Sequence, residues 1–403
     1  MTAFSADSNR MAMLFARETQ YGVPPTTPSM AFMRTTGESL KQDSQTTTSQ
    51  EIRSDRQTSD VVRVDVSSSG DINWELSSPL NNATPDASLN QFDNMFPAAM
   101  MSSGWSSAVT VTASLSVTAL DQSLNSSALF GSINAGQWIR LSGMSAPGNN
   151  GYFKVVSKSS SSKLILAGAI ALVDEASASR VLFMPPQVVN GTTFTSYTIE
   201  KRFSDLTNEF GLLTGQAING MNLNVARQAI ITGGFSFLGK KEESQNATLA
   251  NSTVVATSTD VLQCVDDVSY FAEGIPVLGG PCDFAITGFN FALNNNLRSR
   301  TEVSKLGAVS IGVGSVGVTG SLTAYYKNKT VMNKYLAMDA SSVAVIVRKA
   351  GTNLGWIFEL PRIKYTSGQR VAGGINQDII AQMQFTAYRN PDEDATVRIA
   401  RLA

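Results

Sequence analysis

Ser69-Gly70-Asp71-Ile72-Asn73-Trp74-Glu75-Leu76 alternates apolar with polar residues, and Thr319-Gly320-Ser321-Leu322-Thr323-Ala324-Tyr325-Tyr326 echoes it 250 positions later. Alternation with period two is the mark of a strand with one buried face. Each segment leads into apolar residues at helical spacing: Leu89, Phe92, Met95 and Phe96 after the first, Val331, Tyr335 and Leu336 after the second. A second echo pairs Ile230-Ile231-Thr232-Gly233-Gly234-Phe235-Ser236-Phe237-Leu238 with Ile380-Ala381-Gln382-Met383-Gln384-Phe385-Thr386-Ala387-Tyr388, now at an offset of 150. A drop from 250 to 150 predicts two copies of one β-rich unit, the first holding about 100 residues that the second lacks. Those residues must fall between Met101 and Ile230.

The interval supplies a candidate insertion at 105–186. It opens on Val109-Thr110-Val111-Thr112-Ala113, contains Trp138-Ile139-Arg140-Leu141-Ser142-Gly143 and Gly151-Tyr152-Phe153-Lys154-Val155-Val156, and closes near Leu182-Phe183-Met184-Pro185-Pro186. Short strands with Gly and Asn turns over about 80 residues suffice for a small all-β module that folds alone. Further strands are expected at 61–66, 193–202, 229–238, 285–293, 318–326, 343–348, 356–365 and 379–388, and helices at 89–101 and 330–338. Pro97 is expected to disturb the last turn of the first helix, because it has no N–H.

The first 60 residues read differently. Pro24-Pro25, Pro28, Gly37 and the polar run Ser44-Gln45-Thr46-Thr47-Thr48-Ser49-Gln50 are turn and loop chemistry, so 1–60 is expected as an N-terminal arm and loop. Glu51-Ile52-Arg53-Ser54-Asp55-Arg56-Gln57 carries four charges of mixed sign. Such a run suits a solvated loop, or a docking segment in which Arg makes paired hydrogen bonds to a neighbour's carboxylates. The expected fold is therefore mainly β, with two tandem β-sandwich or partial-barrel units, each with a short helix, plus the inserted module. The first unit is discontinuous, 61–104 and 187–245, and the second spans 246–403.

Composition excludes much chemistry. The chain has 403 residues, a length that suggests two or three domains, with 42% apolar and 16% charged residues. Its 31 basic and 32 acidic residues give a net charge of −1, so no chain-wide basic field draws in nucleic acid. The absence of histidine removes Ser-His-Asp, Cys-His and histidine-zinc sites. Cys264 and Cys282 have no metal-ligand companions and are expected as buried free thiols, with a disulfide as the alternative. Met1 to Gln20 is not expected to act as a secretory signal, and the longest apolar run, 164–173, falls short of a spanning helix.

No phosphate loop, serine elbow or calcium loop is present. Gly312-Val313-Gly314-Ser315-Val316-Gly317 has GxGxxG spacing but sits among strands, as a hairpin would. Asp266-Asp267 and Asp392-Glu393-Asp394 lie in loop-like contexts without an aromatic cradle, so an enzyme is not expected, nor any cofactor or metal.

The order of these pieces resembles a known family. Arg34-Thr35-Thr36-Gly37-Glu38-Ser39-Leu40, the cluster Ser54-Asp55-Arg56-Gln57, the strand Gly70-x-Ile72-x-Trp74-Glu75-Leu76 and then Phe92-Asp93 are similar in sequence and order to the major tail tube protein of long, non-contractile tailed bacteriophages. So are Ile199-Glu200-Lys201-Arg202-Phe203-Ser204-Asp205, Gly220-Met221-Asn222-Leu223, Asn294-Asn295-Asn296-Leu297-Arg298 and Leu360-Pro361-Arg362, in order across nearly the whole chain. The 138–156 segment resembles a module that some members display outside the tube.

The resemblance implies a virion tail protein, assembled in the host cytoplasm, whose sheets join those of identical neighbours into stacked rings around a DNA conduit. It implies partners in the tape measure, tail terminator and tail tip proteins, DNA passing without specific binding, and no membrane. If the duplication holds, three chains give a ring with pseudo-sixfold walls. Asp55, Arg56, Arg202 and Arg298 are the candidate inter-subunit contacts. The uncharged strands 229–238 and 379–388 are expected to pair across subunits, because unprotected sheet edges are templates. The arm is expected to bridge rings, so deleting 34–57 should leave a folded monomer that cannot polymerise. The competing readings are a virion surface adhesin, with Trp138, Tyr152 and Phe153 of the inserted module binding a host glycan, and a capsid or decoration protein.

Overall fold

The computed structural model describes residues 5–80, 85, 90–167, 171–254, 260–273 and 285–402. Leu89 and Cys282 lie outside these described residues. Strands β1 (Met11–Arg17), β2 (Ser29–Met33), β3 (Gly37–Glu38), β4 (Lys41–Thr48) and β5 (Val61–Glu75) precede helix α1 (Gln91–Ala99). Next come β6 (Val109–Thr118), β7 (Ser123–Asn125), β8 (Trp138–Ser142), β9 (Gly151–Ser160), β10 (Lys163–Ala167) and β11 (Glu175–Met184). They are followed by β12 (Gln187–Val189), β13 (Tyr197–Phe203), β14 (Phe210–Ala226), β15 (Thr232–Gly239), β16 (Lys241–Gln245), β17 (Ser252–Val254) and β18 (Val268–Glu273). The last part holds β19 (Ile286–Asn294), β20 (Arg298–Arg300), β21 (Ser310–Gly312), β22 (Gly317–Tyr325), helix α2 (Thr330–Ala337), β23 (Ser341–Arg348), β24 (Gly355–Ala372), β25 (Ile379–Ala387) and β26 (Arg398–Leu402). The fold is mainly β, and both helices lie where the sequence spacing put them.

One antiparallel run organises the molecule, in the order β4, β5, β15, β14, β19, β22, β25, β24. Period-two patterning sets its faces. Ile72, Trp74, Phe235, Phe237, Met221, Leu223, Phe289, Phe291, Leu322 and Phe385 are buried on one side. The other side shows mainly Asn, Ser, Thr and Gln to solvent, as at Asn222, Asn224, Asn290 and Gln384.

The second four strands repeat the register of the first four. Gly70 sits opposite Phe237, and Gly320 opposite Phe385. Both positions need glycine. A Cβ on Gly70 would lie 2.4 Å from the carbonyl oxygen of Ser39, between β3 and β4, and one on Gly320 2.3 Å from that of Asn290 on β19. In the ladder Phe385 thus corresponds to Phe237 rather than to Phe235, two residues away from the match the sequence echo suggested.

The long strands β14 and β24 each carry a register break, at 218/220 and at 365/367. A bulge of this kind bends a strand, so each one serves two sheets. The first half of β14 pairs with β13 and β16, and β13 continues to β1 and β2. The first half of β24 pairs with β23 and β26.

The main core lies between these layers and contains α1. Phe96 packs edge-on to Trp356 at 5.1 Å between ring centroids and Phe92 to Trp74 at 5.0 Å. Pro97 stands inside α1 without breaking it. Proline cannot donate to the carbonyl four residues back, and that carbonyl, of Asp93, instead accepts the Trp105 indole N–H at 2.7 Å.

Strands β6 to β11 close into a six-stranded barrel, in the order β10, β7, β6, β11, β8, β9. It has its own apolar core around Leu115, Ile139, Phe153 and Leu164.

Two expectations differ from the structure. The first 60 residues carry β1 to β4, and Met13, Leu14 and Phe15 of β1 are buried where that strand pairs with β13. Among the described residues 49–60 is the long exposed loop left of the arm, because the short apolar runs at Met11–Arg17 and Ser29–Met33 are completed by strands distant in sequence. Second, the uncharged segments around 229–238 and 379–388 are interior strands. β15 is flanked by β5 and β14, and β25 by β22 and β24, so neither has an open edge. Absence of charge there reflects burial on both margins.

Candidate assembly surface

An exposed sheet edge offers backbone N–H and C=O groups that only another strand can pair. Within the chain one such junction is already made: β14 pairs with β19 from Gly220↔Asn294 to Ala226↔Gly288. Two margins of the same run remain open among the described residues. β4 has β5 as its sole ladder partner, and from Lys364 to Ala372 β24 pairs with β25 alone.

The β4–β5 hairpin projects beyond the core. Val61, Val62 and Val64 are more than half exposed, and Ile52 in its loop is 99% exposed. Asp55 and Arg56 lie in this loop. Asp55 accepts two bonds from Arg53, at 3.0 and 2.7 Å, and the neighbouring guanidinium holds its carboxyl below the usual carboxylate range. Arg56 has a left-handed backbone at φ 62° and its N–H donates to the Arg53 carbonyl at 3.4 Å.

Arg298 lies exposed on β20, which pairs with β21 in the connection between β19 and β22. That connection turns back, where Asn295 is buried and donates to the carbonyls of Ala99 and Ile218. The Gly307 N–H then donates to Asp65 at the base of the first hairpin. Arg202 is held inside the chain, donating to Glu200 and to the Thr248 hydroxyl, both at 2.6 Å. The four candidates therefore occupy three separate places and form no common site.

A buried ion cluster went unnoticed in the sequence. Lys154 of the barrel pairs with Glu359 of β24 and, at 2.7 Å, with Glu393. Arg398 of β26 pairs with Glu359 at 3.2 Å and Glu393 at 2.7 Å, and donates to the Gly136 carbonyl. Trp138 donates its indole N–H to Glu359 at 2.9 Å. Burial alone would raise the Glu359 pKa, but Lys154 and Arg398 outweigh it and hold the carboxyl low. The apolar flank of this contact joins Trp138 and Tyr152 to Ile346, Ile357 and Ala400.

This answers the glycan reading of the inserted module. Trp138, Tyr152 and Phe153 are all buried, the first two against the main sheet and the third in the barrel core. Lys154 and Glu359 are 205 positions apart, and no local pattern marks them as partners.

The two helices meet unlike surroundings. Every α1 residue except Asn94 is buried, and Asp93 forms a fully buried pair with Arg401 at 2.9 Å. In α2 only Val331 and Met332 are buried, and Leu336 is 70% exposed. Among the described residues no group of three or more His, Cys, Asp or Glu could hold a metal ion, and no helix is long and apolar enough to cross a membrane. Cys264 is a half-buried free thiol.

What these surfaces can do is pair strands and bury apolar side chains, which places the chain in the class of β-structural assembly proteins. Residues 8–387 match the family model for the phage tail tube protein. The chain belongs to that family, and its role is a structural one in the tube of the virion tail. Comparison with curated proteins finds no match.

Proposed function

We propose that this chain polymerises into stacked rings that form a hollow tail tube through which DNA is delivered to the host. The observation that carries this reading is the pair of open margins on a sheet whose interior contains a finished junction of the same kind. Each chain contributes two tube-wall units, 61–104 with 187–245 and 246–403, and three chains close a ring with pseudo-sixfold walls. Residues 105–186 form the inserted module and ride outside the wall. Assembly takes place in the host cytoplasm, and the tape measure, terminator and tail tip proteins are the further partners.

Rings stack through the β4–β5 hairpin, where exposed valines and Ile52 would be covered by the next ring and where Asp55, Arg56 and Arg298 are available as polar contacts. Exposed apolar side chains grouped on one projection are the usual sign of a docking surface. Deleting 34–57 is no longer a clean test, because it removes β3, β4 and the buried Leu40. Replacing 49–60 with a short Gly-Ser turn leaves the ladders intact.

Electron microscopy of purified protein tests both claims. The full chain should give tubes with three outward knobs per ring, and the loop-replaced chain should give rings or monomers without tubes. Six knobs per ring would refute the trimer, and tubes from the loop-replaced chain would refute the stacking role.

A further inference from the structure

We propose that Lys154 of the barrel and Asn390 of the main body become joined by an amide bond between their side chains, formed by the chain itself with loss of ammonia. The bond needs no second copy, so it stands apart from the tube reading above.

Glu393 brings the two reacting nitrogens together. Its Oε1 accepts a hydrogen bond from Lys154 Nζ at 2.7 Å and another from Asn390 Nδ2 at 3.1 Å. Two bonds to one oxygen keep these nitrogens within about 6 Å of each other. Rotation of the lysine stem past Glu393 is then enough to set Nζ against Cγ of the carboxamide. The far end of the carboxamide is held as well, because Asn390 Oδ1 accepts the Asp392 N–H at 3.2 Å. A donor placed there stabilises the charge that the oxygen gains when a nucleophile adds to Cγ. The Asn390 N–H donates to the Ala395 carbonyl at 2.9 Å and closes the turn that carries all three residues.

The surroundings suit the reaction. The Lys154 side chain is only 5% exposed, so bulk water is kept from Nζ. Arg398 bonds to both Glu359 and Glu393, and remains their cation when Lys154 gives up its charge. A pocket lined by Lys154, Arg362, Asn390, Asp392 and Glu393 opens beside the group and gives ammonia a way out. Pro391 follows Asn390 and has no N–H, which removes the usual ring closure of an asparagine side chain onto the next residue.

The ion cluster is the state from which the bond forms. Glu393 takes one proton from the Lys154 ammonium, and the freed lone pair attacks Cγ of Asn390. The Nζ–Cγ bond forms. The Cγ–Nδ2 bond breaks as Nδ2 receives that proton from Glu393 and a second one from Nζ. Nδ2 leaves as ammonium, Glu393 is again a carboxylate, and nothing is oxidised or reduced. The product ties β9 to the turn between β25 and β26, so the barrel no longer depends on its two chain connections alone.

The intact mass of the purified, unfolded full chain tests the bond. A mass about 17 Da below that of the sequence is expected. Trypsin should release 141–158 joined to 390–398, uncut after Lys154. Asn390→Ala, at a half-buried position, removes the acyl carbon and should give the full mass of its own sequence, with normal cleavage after Lys154. Glu393→Gln carries no proton between the nitrogens, and should lower the cross-linked fraction of freshly purified chain at least about tenfold. Full mass and a free 141–154 peptide from the unmodified chain after days at neutral pH would overturn the proposal. So would an ammonia loss that maps to another asparagine, such as Asn150 or Asn190, each of which precedes a glycine. A Glu393→Gln chain cross-linked as fully as the unmodified one would overturn the proton route through Glu393 and leave the bond itself standing.

Discussion

α1 and α2 follow strands of the same register, yet one is enclosed and the other half bare. Asn90 caps α1 by accepting the Phe92 N–H at 2.9 Å, and Asn328 does the same for α2 by accepting the Thr330 N–H at 2.9 Å, so the difference lies beyond the first turn. Trp356 and Phe358 from β24 and Arg401 from β26 close over α1. Among the described residues α2 packs on β24, with the Tyr335 ring beside Gly368, and Leu336 is left in solvent. The same asymmetry holds for the sheet, where β14 is joined to β19 and the matching part of β24 is open. On the proposed reading, the β14–β19 junction is a completed unit-to-unit contact and the two open margins are the halves of another, as a head-to-tail assembly requires of each copy.

Substitution inside the completed contact carries the largest expected effect. Phe96→Ala removes a ring that touches Trp74, Phe235, Trp356 and Phe358, and should cost about 3–5 kcal/mol. Met332→Ala in α2 should cost about 2 kcal/mol in the isolated chain, because fewer neighbours surround it. Denaturant unfolding of both variants measures the difference. Equal losses would mean that α2 is as well packed as α1, and the contrast would fail.

The ion cluster beside the completed contact adds a pH dependence. Glu359→Gln leaves Lys154 and Arg398 with Glu393 as their remaining carboxylate, and should cost about 2–4 kcal/mol at neutral pH. Because the folded-state pKa of Glu359 lies below its ordinary 4.5, its contribution is complete above that value. It is lost as the pH falls through the lowered folded value, since protonation removes the charge that both cations need. Melting curves of wild type and variant should therefore converge on acidification. A gap that stays constant from neutral to strongly acid pH would show that the charge of Glu359 does not contribute.

Local patterning made the strands and helices legible, because Ile72, Trp74, Phe289 and Phe291 state their burial through alternation alone. The repeat at Gly70 and Gly320 was legible too, although only the ladder fixed which Phe matches which. Long-range completion was not. Met11–Arg17 is too short to reveal which strand covers it, and the Lys154–Glu359 and Asp93–Arg401 pairs join positions that no spacing rule connects. Of the candidate contacts, Asp55 and Arg56 were found as a solvated run. Arg202 looked equally available in sequence because its acceptors, Glu200 and Thr248, are set by the fold of β13 and the loop after β16.

The smallest expected effect on the monomer is the most informative for the open half of the contrast. Leu336 is 70% exposed on α2, so Leu336→Ser should change the stability of the isolated chain by no more than about 0.5 kcal/mol. If a neighbouring copy covers α2 as β24 and β26 cover α1, that side chain is buried only in the ring, and its loss falls entirely on assembly. An apolar side chain of this size contributes about 1.5–3 kcal/mol when it leaves water, and every subunit contact in the tube repeats the deficit. Sedimentation should then show a critical concentration for tube formation raised about tenfold or more, with the melting temperature of the monomer unchanged. An unchanged critical concentration would mean that α2 faces solvent in the tube as it does in the single chain, leaving the pairing of sheet margins to hold each ring without help from the helix.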